Sequence, residues 1–241
     1  MPKRLALDFL EARPVRVPAW SRLHLALIGA GGTGSWLLPH LVRLAHLVQA
    51  SGKTVTLGIS DPDTVAPANV ARQNFLLGDV GHAKARVLAA RYGLAYGLEI
   101  AAWVEPFGYR HLHDTYRSDT LTVLLGAVDN AVARTSIAEY VTRAEGHQEL
   151  PRCWWVDSGN SYQSGQICLG NTAALPALRG AFATPGYCNR LPLPSLLHPD
   201  LLVPRPEEAT TARLSCAELT AANAQSLLVN TTAATIAADF V

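Results

Sequence analysis

Four glycines lie in L-I-G-A-G-G-T-G-S, Leu27 to Ser35, between an apolar run and a segment with helical spacing. Gly29, Gly31 and Gly34 make G-x-G-x-x-G, and Gly32 adds a fourth glycine. Between a strand and a helix, such a turn lets the backbone approach phosphate groups at the helix N-terminus. A second cluster, D-P-D-T-V-A-P-A-N-V-A-R-Q-N, runs from Asp61 to Asn74 after the next strand pattern. An acid at that strand end, Asp61, suits ribose hydroxyls, although a turn cap needs the same residue type. Asp63, in D-P-D-T, is read as a local turn residue. Arg72 offers a planar fork to phosphate oxygens, and Lys84 supplies a second cation. Asn69 and Gln73 add polar groups beside them. Asp129 ends a further buried strand in A-V-D-N. A carboxylate facing a triphosphate needs a cation between them, so Asp129 is a candidate magnesium ligand, with the N-cap of the next helix as its other reading. Arg134, one turn into that helix, can partner a carboxylate.

The elements that must place these residues follow from periodicity. Continuous apolar runs at 23–28, 54–60 and 121–128 suit strands buried on both faces of a parallel sheet. Residues 99–104, 154–157 and 165–170 are further strands, the last hairpin-paired after G-N-S-Y-Q-S. Helices are expected over 34–49, 81–96 and 131–143, with Pro39 in the tolerant first turns of the first. Residues 61–79 and the proline-rich 184–211 read as loops, and 227–241 as an apolar helix or strand. Strands alternating with helices imply an α/β, Rossmann-like doubly wound sheet, mostly parallel, with some antiparallel strands in the C-terminal half. The glycine loop, Asp61 and Asp129 all follow carboxyl ends of strands, so they should share one rim.

The 241 residues are 49% hydrophobic and 16% charged, which suits a globular chain with a sizeable core. A net charge of +1 gives no reason to expect nucleic-acid binding. No apolar run reaches the length of a membrane span and the N-terminus lacks a signal-peptide pattern, so a cytoplasmic location is expected. Cys153, Cys168, Cys188 and Cys216 form no C-x-x-C pair, which argues for free thiols and no structural zinc. Cys153 and Cys168 fall in strand patterns and read as core.

The motifs together resemble those of the ThiF/MoeB/HesA family, bacterial relatives of ubiquitin-activating enzymes. The chain has G-A-G-G-T-G-S at 29–35, D-P-D-T-V-A-P-A-N-V-A-R-Q at 61–73, D-V-G-H-A-K-A at 79–85, and D-N at 129–130 with Arg134 beyond. Ala68 stands where a Ser is usual. The resemblance implies a single adenylation domain over 1–241, with a nucleotide-binding half at 23–145 and a partner-docking half at 150–241. It implies that Gly29, Gly31, Gly32 and Gly34 cradle ATP, that Asp61 holds its ribose, and that Asn69, Arg72, Gln73 and Lys84 surround the triphosphate. Asp129 would bind Mg2+. The implied reaction is adenylation of the C-terminal carboxylate of a small ubiquitin-like β-grasp protein ending in glycine, by a homodimer. The family's zinc-binding cysteine pairs are missing. Its trans-acting N-terminal Arg has only Arg13, Arg16 and Arg22 as candidates here. R-L-S-C-A-E-L at 213–219 is similar to a segment that carries a reactive cysteine in some members, which makes Cys216 the first candidate nucleophile and Cys188 the second. D-S-G-N-S-Y-Q-S-G-Q-I-C-L-G at 157–170 and S-C-A-E-L at 215–219 look most like the ThiF-related protein of bacterial ParB-related, ThiF-related cassettes.

Two other readings stay open from residues alone. The glycine loop and Asp61 fit an NAD(P)-dependent oxidoreductase equally, but that chemistry has no joint use for Arg72, Lys84 and Asp129. A non-catalytic nucleotide-binding scaffold would keep the fold and lose turnover.

Overall fold

Six strands form one sheet in the order β3-β2-β1-β4-β5-β6. The computed structural model describes residues 14–112, 118–145, 150–160, 164–204 and 227–241. The strands are β1 (Arg22–Ile28), β2 (Thr54–Ser60), β3 (Ile100–Trp103), β4 (Thr120–Gly126), β5 (Cys153–Asn160) and β6 (Gly165–Gly170). All neighbours pair in parallel except β5 and β6, which form the expected antiparallel pair. The main helices are α1 (Gly32–Ala50), α2 (Lys84–Tyr96) and α3 (Ala131–Glu145). Two short helices, α4 (Leu175–Leu178) and α5 (Pro194–Leu197), and a 3-10 turn at Pro199–Leu202 interrupt the later chain, the last two within the expected 184–211 loop. The apolar tail resolves as a helix, α6 (Leu227–Asp239).

Alternation along the strands builds two cores. Leu23, Leu25 and Leu27 of β1 pack with α1, α2 and α6 on one face, while Ala26 and Ile28 pack with α3, Phe107, Trp155 and Leu193 on the other. This covering of both faces is what the continuous apolar runs require. It places β1 and β4, whose onward connections diverge to opposite faces, at the switch point of the sheet.

Register then fixes where the site can form. Ile28 pairs with Ser60 of β2 and with Gly126 of β4, so three strands end level with one another. The residues that follow them, Gly29, Asp61 and Ala127, therefore emerge side by side.

Pro39 departs from its expected place. Helix α1 begins at Gly32, so Pro39 lies two turns in, where a proline deprives the carbonyl four residues earlier of its donor. That carbonyl belongs to Ser35. The Asn74 side-chain amide donates to it at 3.1 Å, and Asn74 N–H donates to Ser35 Oγ at 3.0 Å. The helix tolerates the proline because the 61–79 segment docks on the vacated acceptor.

His24 sits on buried β1 with one ring nitrogen on Thr56 Oγ1 of the paired strand and Nε2 without a partner. Burial pushes its pKa down from 6.5 to about 4. The native state thus binds fewer protons than the unfolded chain across that window, and stability is lost as pH falls from 6.5 toward 4. The loss is about 3 kcal/mol. Thermal unfolding of His24→Leu should show a flatter acid limb than the native chain; an unchanged limb would exclude His24 as its source.

Candidate functional site

A cleft of about 810 Å3 opens at the switch point, lined by the glycine turn, the 61–73 segment, the N-terminus of α3 and the β5–β6 wall. Among the glycines, two are demanded by packing and one by open space. Gly29 has φ +95, and a Cβ there would lie 2.5 Å from the Ala127 carbonyl oxygen. A Cβ on Gly34 would lie 1.9 Å from the Gly29 oxygen. A Cβ on Gly31 would meet nothing within 4 Å, although Gly31 lines the cleft. Gly34→Ala should therefore cost stability, by about 1–3 kcal/mol for forced overpacking. Gly31→Ala should leave the unfolding temperature unchanged while weakening any ligand seated on the turn. Equal thermal losses in the two variants would refute this division.

Asp61 is buried at the end of β2. Ala30 N–H donates to its Oδ2 at 2.6 Å and Asp63 N–H to its Oδ1 at 2.8 Å. Burial raises the carboxyl above its ordinary range, and nearby Lys84 and the two backbone donors oppose that rise. Each oxygen keeps a further lone pair for a ligand hydroxyl. Asp61 thus takes the turn-capping role weighed for it, tying down the glycine turn, and it lines the cleft.

Lys84 is the first residue of α2, a helix end that disfavours cations. It is nevertheless buried at 6% exposure. Its Nζ donates to Asp63 Oδ2 at 3.0 Å, and Asp61 lies close enough to act on it. Asp63 is therefore more than a turn residue, since it helps to hold a charged lysine at the cleft.

Arg72 and Gln73 follow a 3-10 turn, Pro67–Asn69. Asn69 Oδ1 accepts Ala66 N–H at 2.8 Å, and the Asn69 carbonyl accepts Arg72 N–H at 3.2 Å and Gln73 N–H at 2.8 Å. Burial lowers the Arg72 guanidinium from its ordinary value, and the Asp129 carboxylate opposes the shift. Gln73 Oε1 and Thr33 Oγ1, both on cleft-lining residues, are buried without a hydrogen-bond partner among the described residues. Buried polar atoms normally find partners, so a small rotation of either toward a polar ligand would be favourable.

Asp129 is exposed in the cleft, and Asn130 caps α3, its Oδ1 accepting Ala133 N–H at 2.9 Å. The capping role weighed for Asp129 thus belongs to its neighbour, whose Nδ2 also lies 3.5 Å from Asp129 Oδ1, and the exposed Asp129 carboxylate keeps further lone pairs toward the cleft. Behind it, Arg134 Nη2 donates to the Val128 carbonyl at 2.6 Å. Arg134 Nε lies 3.2 Å and 3.3 Å from the two oxygens of Asp157, which is completely buried. Burial raises the Asp157 carboxyl, and Arg134 opposes that rise. The carboxylate partner expected for Arg134 is therefore Asp157, a residue that no local pattern singles out.

The remaining candidates among the described residues are not brought to the cleft. Arg22 pairs with Asp119 at 3.3 Å at the opposite end of β1, and Arg16 donates to Thr184 Oγ1 at 3.2 Å. Cys188 is buried, with Sγ donating to the Arg190 carbonyl at 3.1 Å, which does not suit a nucleophile. Cys153 is buried in β5, where desolvation raises its thiol pKa, and Cys168 is half-buried in β6. Cys216 and Arg13 lie outside the described residues. No described helix is long and apolar enough to cross a membrane.

A mostly parallel α/β sheet of order 3-2-1-4-5-6, with a glycine turn and a charged cleft at its switch point, defines a Rossmann-like protein. The chain belongs to the ThiF family, whose model matches residues 7–235. No curated protein matches it. Among solved structures it is similar to E. coli MccB crystallised with ATP, at 16% identity and a TM-score of 0.52, covering 90% of this chain and 53% of MccB. The same enzyme with AMPCPP and selenomethionine MccA gives 15% identity, a TM-score of 0.51, and coverage of 90% and 53%. E. coli tRNA N6-threonylcarbamoyladenosine dehydratase, TcdA, in complex with AMP gives 16% identity and a TM-score of 0.52, covering 90% of this chain and 83% of that one. The chain spans about half the length of MccB.

Proposed function

We propose that this protein uses ATP to adenylate the C-terminal carboxylate of a small ubiquitin-like β-grasp protein, with release of pyrophosphate. The observation that carries the reading is convergence. Residues from four separate motifs, among them Gly31, Asp61, Arg72, Lys84 and Asp129, line a single cleft. The oxidoreductase reading leaves three of these without work. Membership of the ThiF family, and structural neighbours crystallised with ATP, AMPCPP or AMP, support adenine-nucleotide chemistry. The MccB crystal that holds MccA supports a peptide or small-protein partner.

In this reading the partner's carboxylate oxygen bonds to the α-phosphorus while the bond from that phosphorus to the bridging oxygen breaks. Pyrophosphate leaves with the electron pair. Negative charge gathers on the phosphates, and Arg72 and Lys84 stabilise it. The turn at Gly29–Gly34 orients the phosphates through backbone N–H groups, and Asp61 accepts the ribose hydroxyls. The available Asp129 carboxylate fits a divalent cation, and Mg2+ bound there would neutralise phosphate charge. The two halves, 23–145 and 150–241, act as one adenylation domain, with a homodimer as the working form. Cys216 is the acceptor candidate if the acyl adenylate passes to a thiolate with release of AMP.

The test is ATP–pyrophosphate exchange with the purified chain, Mg2+ and a β-grasp protein ending in glycine. Exchange that needs the partner's terminal carboxylate supports the reading. ATP binding without exchange, across all β-grasp partners encoded beside it, would favour a scaffold instead.

A further inference from the structure

Helix α6 buries Ala233, Ala234 and Ala237, and Asn230 on it is completely buried as well. An amide is costly to bury unless its polar atoms are bonded. Both are. Asn230 Nδ2 donates to the backbone carbonyl of Arg72 at 3.3 Å, and its Oδ1 accepts from the Asn160 side-chain amide. The same Arg72 carbonyl accepts Trp36 Nε1 from α1, also at 3.3 Å. Arg72 is thus held through its backbone by two helices that come from opposite ends of the chain. The flanking Asn74 is held on Ser35, and its own carbonyl accepts from Arg91 Nη1 at 2.8 Å. Asn160 ends β5 and lines the cleft, whereas Asn230 stands behind its wall.

We propose that Asn230 is a positioning residue: it fixes where the Arg72 side chain starts and couples that position to Asn160 on the facing wall of the cleft. Its consequence for nucleotide binding rests on the ATP reading above, while the positioning rests on geometry alone. Arg72 has a long side chain, and its reach to a ligand depends on where its backbone is held. Loss of the Asn230 amide removes one of the two described donors on the Arg72 carbonyl, and Asn230→Leu also takes away the oxygen that accepts from Asn160.

The experiment has two arms, and both use Asn230→Leu and Asn230→Asp. In the first, amide hydrogen exchange is measured in the ligand-free protein. Exchange at the amides of Arg72 and Gln73 should accelerate roughly tenfold, with that of β1 unchanged. Unchanged exchange at Arg72 and Gln73, or equal acceleration in β1, overturns the proposal. In the second, ATP affinity is measured in a double-mutant cycle with Arg72→Ala. Affinity should fall about tenfold when Arg72 is present and no further when it is absent. An equal additional loss in the Arg72→Ala background would show general damage and overturn the proposal. If the native chain binds no ATP while the exchange arm behaves as expected, the nucleotide reading fails and the positioning role of Asn230 stands.

Discussion

Arg72→Ala should lower partner-dependent pyrophosphate exchange by about two to three orders of magnitude, the usual effect of removing one preorganised donor from developing charge. Asp129→Ala should match it in size and differ in kind. Arg72 acts directly on phosphate charge, so extra Mg2+ should not restore its loss. Asp129 would act by holding the cation, so part of the activity should return as Mg2+ is raised. Both side chains line the cleft, and the Asp129 carboxylate opposes the lowering that burial imposes on Arg72, so a cation and an anion face the same space. Full activity in either variant would remove that residue from the proposed chemistry. Identical Mg2+ responses in both would remove the distinction drawn between them.

The largest loss of stability should come from Asp157→Ala. It leaves Arg134, itself buried, without a counter-charge, at a cost of roughly 3–5 kcal/mol. For a domain of this size that lowers the unfolding temperature by roughly 6–20 °C. Replacing both partners, as Arg134→Met with Asp157→Leu, should recover much of the loss, since paired apolar groups can pack as well as a buried ion pair. The double variant should still be impaired in exchange. Arg134 also donates to the Val128 carbonyl, and so fixes the backbone that presents Asp129. A double variant that is stable and fully active would show that the pair serves the fold alone.

The rim of the site was legible in the sequence because it depends on local rules. Strand ends, a glycine turn and acids following apolar runs are read within a few residues, and the register of three level strands brings them together. What was not legible depends on distant partners. Asp63 looked like a turn residue because its lysine lies 21 positions on. Asp157 looked like one more strand residue because its arginine sits on a helix 23 positions earlier. Pro39 was placed in a tolerant first turn, whereas the structure tolerates it two turns in by lending Ser35 a donor from Asn74. Asn230 leaves a trace, as the one amide in a helix rich in alanine and threonine. Nothing in the spacing told what it would bond.

The contact between Asn230 and Arg72 joins residues 158 positions apart. During synthesis, β1 to β4 and the residues up to Asp129 leave the ribosome well before Asn230 does. At ordinary elongation rates the interval for those 101 residues is about 5–20 s. Throughout that interval the glycine turn, Asp61 and Lys84 can already be assembled while the Arg72 carbonyl still lacks its second donor. The nascent chain thus carries a half-built cleft until α6 emerges and adds the Asn230 hydrogen bond behind it.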